Sequence, residues 1–145
     1  MFTSVILGAG KSTRMKANKS KLLFNIAGKP VINHILSSLK AAKAKHNICV
    51  INNSSAELKK ILQAEKISFA YQKILDGTAG AVKAALKLKK NSNSKILILC
   101  GDVPFITSNS IKKLVAKLKN HDAVVGTVEL ESPKGYGRIV RSNNK

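Results

Sequence analysis

The chain has 145 residues, 44% of them hydrophobic, which suits one folded domain and excludes a disordered tail. Its formal net charge is +19 at pH 7. No apolar run approaches the ~20 residues that a membrane-spanning helix needs, and Met1 leads directly into a strand-like run with no secretory signal. We therefore expect a cytoplasmic protein with no membrane partner.

The positive charge comes almost entirely from lysine, because arginine occurs only at Arg14, Arg138 and Arg141. Aromatic residues make up 4% of the chain, and tryptophan is absent. Modules that read nucleic acid usually combine arginine forks with aromatic stacking surfaces. Lysines on solvated faces are therefore the favoured interpretation. Specific nucleic-acid binding is the less favoured alternative.

The two cysteines, Cys49 and Cys100, both lie in apolar runs. This placement is typical of reduced, buried thiols and not of a disulfide framework.

Strand-like apolar runs and helical periodicities alternate along the chain. In chain order, the pattern predicts a strand at 2–7, a helix over 30–44, a strand at 47–51, a helix over 55–65, a strand at 67–71, a helix over 78–88, a strand at 95–100, a helix over 108–118, a strand at 123–130 and a shorter strand at 137–140. This order predicts an α/β domain with a mostly parallel sheet and helices on both faces. Ligands of such sheets bind beyond the carboxyl ends of the strands.

The segment from Gly8 to Met15, with the sequence Gly-Ala-Gly-Lys-Ser-Thr-Arg-Met, follows the first predicted strand. Glycines let a backbone approach a phosphate and present N–H groups to it. Lys11, Arg14 and Lys21 add positive charge that would neutralise a triphosphate. A strand-to-helix turn without a ligand is the alternative.

Two common glycine-rich motifs do not fit this loop. A Walker loop needs glycine where Val5 stands, and a dinucleotide fingerprint needs glycine where Thr13 stands.

Gly101 and Asp102 follow the predicted strand at 95–100. A carboxylate at the end of a buried strand is well placed to hold Mg²⁺ between phosphates. A helix cap near Ser108 or a simple turn would also explain it.

Two further segments are weaker candidates. The amide of Gln72 could form hydrogen bonds with both donor and acceptor atoms of a nucleobase. Gly77-Thr78 begins a predicted helix whose N-terminus could bind a polar ligand atom. For this segment a plain helix cap is the favoured interpretation. Gly137 lies in Gly-Tyr-Gly-Arg, which suggests a tight backbone facing a ligand or, alternatively, a β-bulge.

Together these motifs resemble the sugar-phosphate nucleotidyltransferase family. The resemblance rests on Leu-Gly-Ala-Gly-Lys-Ser-Thr-Arg-Met at 7–15 with Lys-Leu-Leu at 21–23, on Gly-Lys-Pro at 28–30, on Gly-Thr at 77–78, on Gly-Asp-Val-Pro at 101–104 and on Gly-Tyr-Gly-Arg-Ile at 135–139. The chain is most similar to the uridylyltransferase domain of bacterial bifunctional N-acetylglucosamine-1-phosphate uridylyltransferase/glucosamine-1-phosphate acetyltransferases.

This resemblance implies a Rossmann-like three-layer fold and a role for each matching residue. Arg14 and Lys21 would be catalytic and neutralise the triphosphate and the transferring phosphoryl group. Asp102 would bind Mg²⁺. The contacts to the uridine nucleotide and the sugar would come from Leu7, Gly8, Ala9, Gly10, Lys21, Gln72, Gly77, Thr78, Gly101 and Gly137. The substrates would be UTP and a sugar 1-phosphate, chiefly N-acetylglucosamine 1-phosphate, with no specific nucleic acid.

The chain also departs from the family pattern. Ser12 and Ser20 replace a common glycine and proline, and Ala79-Gly80 replaces Gly-His, as in related mannose- and glucose-1-phosphate enzymes. The sequence ends before the family's later glutamate and asparagines and contains no acetyltransferase β-helix. We therefore expect residues 1–145 to be the nucleotide-binding part of a MobA-like NTP transferase domain. A continuation or partner chain would supply the rest, and a nucleotide-binding remnant without turnover is the alternative.

Overall fold

The computed structural model describes residues 1–10, 19–52, 56–88 and 94–141. The strands in these ranges are β1 (Phe2–Leu7), β2 (Asn25–Ile26), β3 (Lys29–Pro30), β4 (His46–Ile51), β5 (Ser68–Tyr71) and β6 (Lys95–Cys100). The helices are α1 (Val31–Ala41), α2 (Ala56–Ala64), α3 (Thr78–Leu86) and α4 (Ser108–Lys117), and short 3₁₀ helices occupy Lys21–Leu23 and Leu118–Asn120.

The main sheet has four parallel strands in the order β5-β4-β1-β6. The chain runs from β1 outward to β4 and β5, then crosses to the other side of β1 to form β6. The strand order therefore reverses between β1 and β6, where Leu7 lies opposite Cys100. In an open α/β sheet, a ligand crevice forms beyond the carboxyl ends of the strands at this reversal.

Helices cover both faces of the sheet, as the alternating pattern predicts. Phe2 and Ile6 of β1 belong to the larger core, together with apolar residues of α1, α2 and α4. Val5 belongs to a smaller core on the opposite face, where α3 packs through Ala81 and Ala85. Successive side chains of a strand point to opposite faces, so β1 contributes to both cores. The predicted three-layer α/β fold is confirmed.

A short antiparallel hairpin, formed by β2 and β3 with a two-residue turn, directly precedes α1. Ala27 and Gly28 connect β2 to β3 with φ values of 48° and 77°, and positive φ at both central residues matches the twist of a tight hairpin. The ring Nε2 of His34 in α1 lies 2.8 Å from the carbonyl oxygen of Ile26 and donates to it. This hydrogen bond ties the hairpin to α1.

The strands predicted at 123–130 and 137–140 are wrong. Over residues 94–141, the structure has no strand after β6, and the side chains of Val125 and Val128 are exposed. Residues 123–126 instead line a cavity of about 670 Å³ with β6 and α4. An apolar run becomes a strand only when another strand pairs with it, and the periodicity of a sequence does not show whether that partner is present.

Most of the other predicted boundaries agree closely, but α1 ends at Ala41 and not at 44. Lys43 has a φ of 61°, a left-handed conformation that stops a helix. Among the described residues, no helix has the length and apolarity needed to cross a membrane.

Candidate functional site

A cavity of about 520 Å³ opens at the carboxyl ends of β1 and β6, beside the start of α3. Its lining brings together eight residues predicted to belong to the site, from four separate segments of the chain: Leu7, Ala9, Gly10, Lys21, Gln72, Gly77, Thr78 and Asp102. The reversal of strand order explains this convergence, because it leaves a gap between the segments that follow β1 and β6.

Gly8 and Gly101 lie directly behind this lining and shape it through close backbone packing. The N–H of Gly8 donates to Val50 (2.8 Å), and the N–H of Gly101 donates to Leu7 (2.9 Å). A Cβ at Gly101 would lie only 2.7 Å from Cδ2 of Leu22, and one at Gly8 only 2.5 Å from Cδ1. The fully buried Leu22 therefore occupies the space above both strand ends.

Lys21 precedes Leu22 and is held at the edge of the cavity by the same packing. Its Nζ lies 2.6 Å from Oδ2 of Asp102, with 26% of the lysine side chain and 56% of the aspartate side chain exposed. Ser20 caps the short helix by accepting a hydrogen bond from the N–H of Leu22. The structure thus brings Lys21 and Asp102 into contact, although they come from distant parts of the sequence.

The donor set around Asp102 bears on whether a divalent cation could bind here. In the described ranges, no three His, Cys, Asp or Glu side chains cluster as metal ligands. Mg²⁺ in phosphate-transfer sites is commonly held by one or two carboxylates together with substrate phosphates and water. One carboxylate at the edge of this cavity therefore fits a cation that arrives with a nucleotide.

Gln72 lies at the end of β5, where its backbone N–H donates to the carbonyl of Ile51. Its side chain is buried, and Nε2 donates to Oδ1 of Asp76 (2.9 Å) and to the carbonyl of Gly77 (3.0 Å). Gly77 has a φ of 93°, which favours glycine, and it immediately precedes α3. The predicted start of this helix at residue 78 is confirmed.

The glycine-rich segment at 8–15 is described only in part. Gly8, Ala9 and Gly10 are placed, whereas Lys11, Arg14 and Met15 lie outside the described residues. The side-chain Nδ2 of Asn52 donates to the carbonyl of Ala9 at 3.2 Å. The sequence prediction missed Asn52, although a polar residue directly after a buried strand is the signal that also identified Asp102.

Cys100 corrects another prediction. It is exposed and lines the cavity, whereas Cys49 is buried as expected. Cys100 lies opposite Leu7 in the sheet register, so both side chains belong to the row that faces α3 and the cavity. Burial raises the pKa of the Cys49 thiol to about 12, because desolvation disfavours the thiolate.

Gly137 is exposed and does not contribute to the lining of the cavity in the described part of the chain. The segment around it folds on itself. Nη1 of Arg138 donates to the carbonyls of Pro133 and Tyr136, and the N–H of Tyr136 also donates to Pro133. The structure therefore does not bring Gly137 to the other predicted site residues.

Comparison with known proteins agrees with this geometry. Residues 4–138 match the MobA-like NTP transferase domain. The chain is 38% identical over 141 residues to the bifunctional protein GlmU of Buchnera aphidicola subsp. Schizaphis graminum, covering 97% of this chain and 30% of that protein. GlmU of Staphylococcus haemolyticus is 36% identical, with 98% of this chain and 32% of that protein covered.

The fold also resembles solved structures. A nucleotidyl transferase from Methanothermobacter superposes with a TM-score of 0.68 at 18% identity, covering 80% of this chain and 57% of that chain. The chain spans about a third of the length of these two GlmU proteins, since it covers 30% of one and 32% of the other.

Proposed function

Because this chain belongs to the MobA-like NTP transferase family, we propose that it binds UTP and transfers UMP to N-acetylglucosamine 1-phosphate in the cytoplasm. The products are UDP-N-acetylglucosamine, a cell-wall precursor, and pyrophosphate. The observation that carries this proposal is the 2.6 Å pair of Lys21 and Asp102 at a cavity that Gln72 and Thr78 also line. The similarity to two GlmU proteins supports the choice of substrates.

In this proposal the two ends of the nucleotide bind to different segments. The backbone of residues 8–10 faces the phosphates, with Arg14 and Lys21 neutralising their charge. Gln72 and the start of α3 at Gly77 and Thr78 face the uracil. The cavity volume of about 520 Å³ falls within the range of ordinary ligand pockets.

The reaction needs no covalent nucleophile from the protein. An oxygen of the sugar 1-phosphate attacks the α-phosphorus of UTP, and the bond from that phosphorus to the oxygen bridging to the β-phosphate breaks, releasing pyrophosphate. Negative charge increases on the leaving group and on the oxygens around the α-phosphorus. The Lys21 ammonium stabilises that charge, and the rigid strand ends fix the orientation of the reactants.

We assign Asp102 as the protein ligand of Mg²⁺. When bound, the ion screens the phosphate oxygens and favours the departure of pyrophosphate. The contact with Lys21 holds the Asp102 carboxylate at the edge of the cavity beside the proposed phosphate position.

A second candidate function is UTP binding without turnover. It is favoured by the position of Gly137, which the resemblance assigns to the sugar but which lies outside the cavity lining. In this case a continuation or partner chain would supply the sugar contacts. Mannose 1-phosphate and glucose 1-phosphate are the alternative acceptors for the catalytic function.

A pyrophosphate-release assay with UTP, Mg²⁺ and the three sugar 1-phosphates tests the proposal. We expect release to be fastest with N-acetylglucosamine 1-phosphate. Lys21→Met should lower kcat/KM by about 100-fold or more, because it removes a cation that stabilises charge in the transition state.

Lys19→Met is the matched control for this experiment. It removes the same charge two positions earlier, where the ammonium lies 4.6 Å from the centre of the Phe24 ring and is not part of the cavity lining. Its kcat/KM should stay within about twofold of the parent value. UTP binding in a calorimeter, without pyrophosphate release in the presence of any of the three sugar phosphates, would contradict the catalytic proposal and support the second candidate.

A further inference from the structure

The side-chain amide of Gln72 is held in one orientation by two neighbours. A glutamine amide carries two N–H donors on its nitrogen and acceptor lone pairs on its oxygen. Two oxygen atoms lie within hydrogen-bond distance of the amide nitrogen, Oδ1 of the Asp76 carboxylate and the carbonyl oxygen of Gly77. A carboxylate oxygen and a carbonyl oxygen both accept hydrogen bonds and donate none. If the amide were rotated by 180°, its oxygen would face two acceptors, so the nitrogen must face them.

This orientation leaves Oε1 as the atom that Gln72 can offer to a ligand. Among the described residues, none donates a hydrogen bond to Oε1. Oε1 is not one of the buried polar atoms that lack a partner, so it remains accessible to solvent. Gln72 itself lines the cavity. With its amide nitrogen engaged by two acceptors, Gln72 has an acceptor and not a donor to offer a ligand in this cavity.

The start of α3 is shaped to receive the Asp76 carboxylate. A Cβ at Gly80 would overlap the carboxyl group of Asp76, so only glycine leaves room for this arrangement. Gly80 is otherwise an unfavourable residue within a helix, since glycine has a much lower helix propensity than alanine. Asp76, Gly80 and Gln72 thus form one arrangement in which the carboxylate is held against the amide.

We propose that Asp76 is a positioning residue that selects the nucleobase, by fixing the Gln72 amide so that its oxygen accepts from an N–H on the ring edge of the base. The proposal rests on the nucleotide-binding function proposed above. Uracil has an N–H at ring position N3, whereas cytosine has an unprotonated acceptor nitrogen there. The fixed amide would therefore accept a hydrogen bond from N3–H of uracil. With cytosine, the lone pairs of Oε1 and of the ring nitrogen N3 would face each other.

Calorimetric dissociation constants of UTP and CTP, each with Mg²⁺, test this selection on the full chain. We expect the parent chain to bind UTP about 10-fold or more tightly than CTP, since opposing two acceptors leaves both unsatisfied. Asp76→Ala removes one of the two groups that fix the amide and should lower this preference by about 3- to 10-fold. Tighter CTP binding should contribute to the change, because a rotated amide can donate to cytosine N3.

Gly80→Ala provides a second route to the same effect, because the new methyl group displaces the carboxylate while Asp76 remains. It should lower the preference in the same direction, and alanine suits the helix, so a folding defect is not expected. Asp122→Asn is the charge-matched control, since Asp122 lies at the separate cavity beside β6 and should leave the preference unchanged. Thermal melting of each variant verifies that it is folded.

The outcomes separate this inference from the function on which it rests. If Asp76→Ala weakens UTP and CTP binding by the same factor, or changes neither, the positioning role is wrong and nucleotide binding stands. If the parent chain binds CTP at least as tightly as UTP, the assigned orientation of the amide is wrong. If the parent chain binds neither nucleotide, the nucleotide-binding function itself is contradicted.

Discussion

Cys49 and Cys100 show how differently two residues of one type can behave in this fold. Both end or interrupt apolar strand sequences, yet Cys49 is fully buried in the larger core and Cys100 faces the candidate site. The raised pKa of Cys49, about 12, keeps its thiol protonated at neutral and mildly alkaline pH. The thiolate is the reactive form of cysteine, so the buried and protonated Cys49 is unreactive. Cys100 is exposed, and a reagent in solution can therefore reach it.

This contrast would allow Cys100 to report on the proposed nucleotide binding. At about pH 8, a maleimide should modify one thiol per folded chain, because Cys49 is both buried and protonated. UTP with Mg²⁺ should slow the modification, since the nucleotide would fill the cavity that Cys100 lines. Mass spectrometry of the labelled chain measures both effects.

Cys100→Ser is the control for the labelling experiment and should abolish modification of the folded chain. Modification at an unchanged rate when UTP saturates the protein would contradict the proposed location of the nucleotide.

The 3₁₀ helix at Lys21–Leu23 carries one of the residues that line the candidate site, Lys21. Leu22 packs against the positions of Gly8 and Gly101 and so couples the ends of β1 and β6 to the segment that carries Lys21. Core packing at the strand ends and the position of the ammonium are therefore linked. A change in either glycine must be accommodated by moving Leu22 or the strand backbone.

Gly101→Ala tests this link. The added methyl group would lie 2.7 Å from both Cδ2 of Leu22 and the carbonyl oxygen of Leu7, so we expect a loss of about 1–3 kcal/mol in the free energy of unfolding. UTP binding should weaken at the same time, because Lys21 moves with Leu22. Urea denaturation and calorimetry measure the two effects.

Gly137→Ala is the matched control, because a Cβ there has no neighbour within 4 Å. Its unfolding free energy should change by no more than about 0.5 kcal/mol. Equal stability of Gly101→Ala and the parent chain would show that the strand ends tolerate a side chain and that Leu22 does not couple them.

For the whole molecule, the net charge of +19 is the dominant electrostatic feature. Such a charge attracts polyanions without regard to their sequence. The binding of a nucleotide in a pocket also depends on the shape and hydrogen-bonding groups of that pocket. The two kinds of binding therefore differ in their response to salt.

We expect duplex DNA to bind weakly, with an affinity that falls steeply between about 0.05 and 0.2 M salt and is the same for a scrambled sequence. UTP binding in the presence of Mg²⁺ should fall less over the same range. Arg14→Ala should leave DNA binding nearly intact but abolish UTP binding, as fluorescence anisotropy and calorimetry would show. A strong preference for one DNA sequence would contradict the interpretation of the lysines as solvated surface.

The sequence by itself determined the parallel α/β fold, the positions of β1, β4, β5 and β6, and most of the residues that line the cavity. These features follow from local patterns, because burial in a sheet or helix leaves a periodicity of apolar residues, and ligand contacts follow the carboxyl ends of strands. The glycine-rich loop and Asp102 were recognisable for the same reason.

Only the tertiary structure decided the features that depend on which distant segments become neighbours. The run at 123–130 has the composition of a strand but has no strand to pair with in the described structure, and Cys100 has an apolar setting in the sequence but faces the cavity. The contact of Lys21 with Asp102 and that of Leu22 with Gly8 and Gly101 likewise join segments that are far apart in the sequence. Strand pairing and side-chain packing bring such residues together, and no local pattern of residue types encodes those distances.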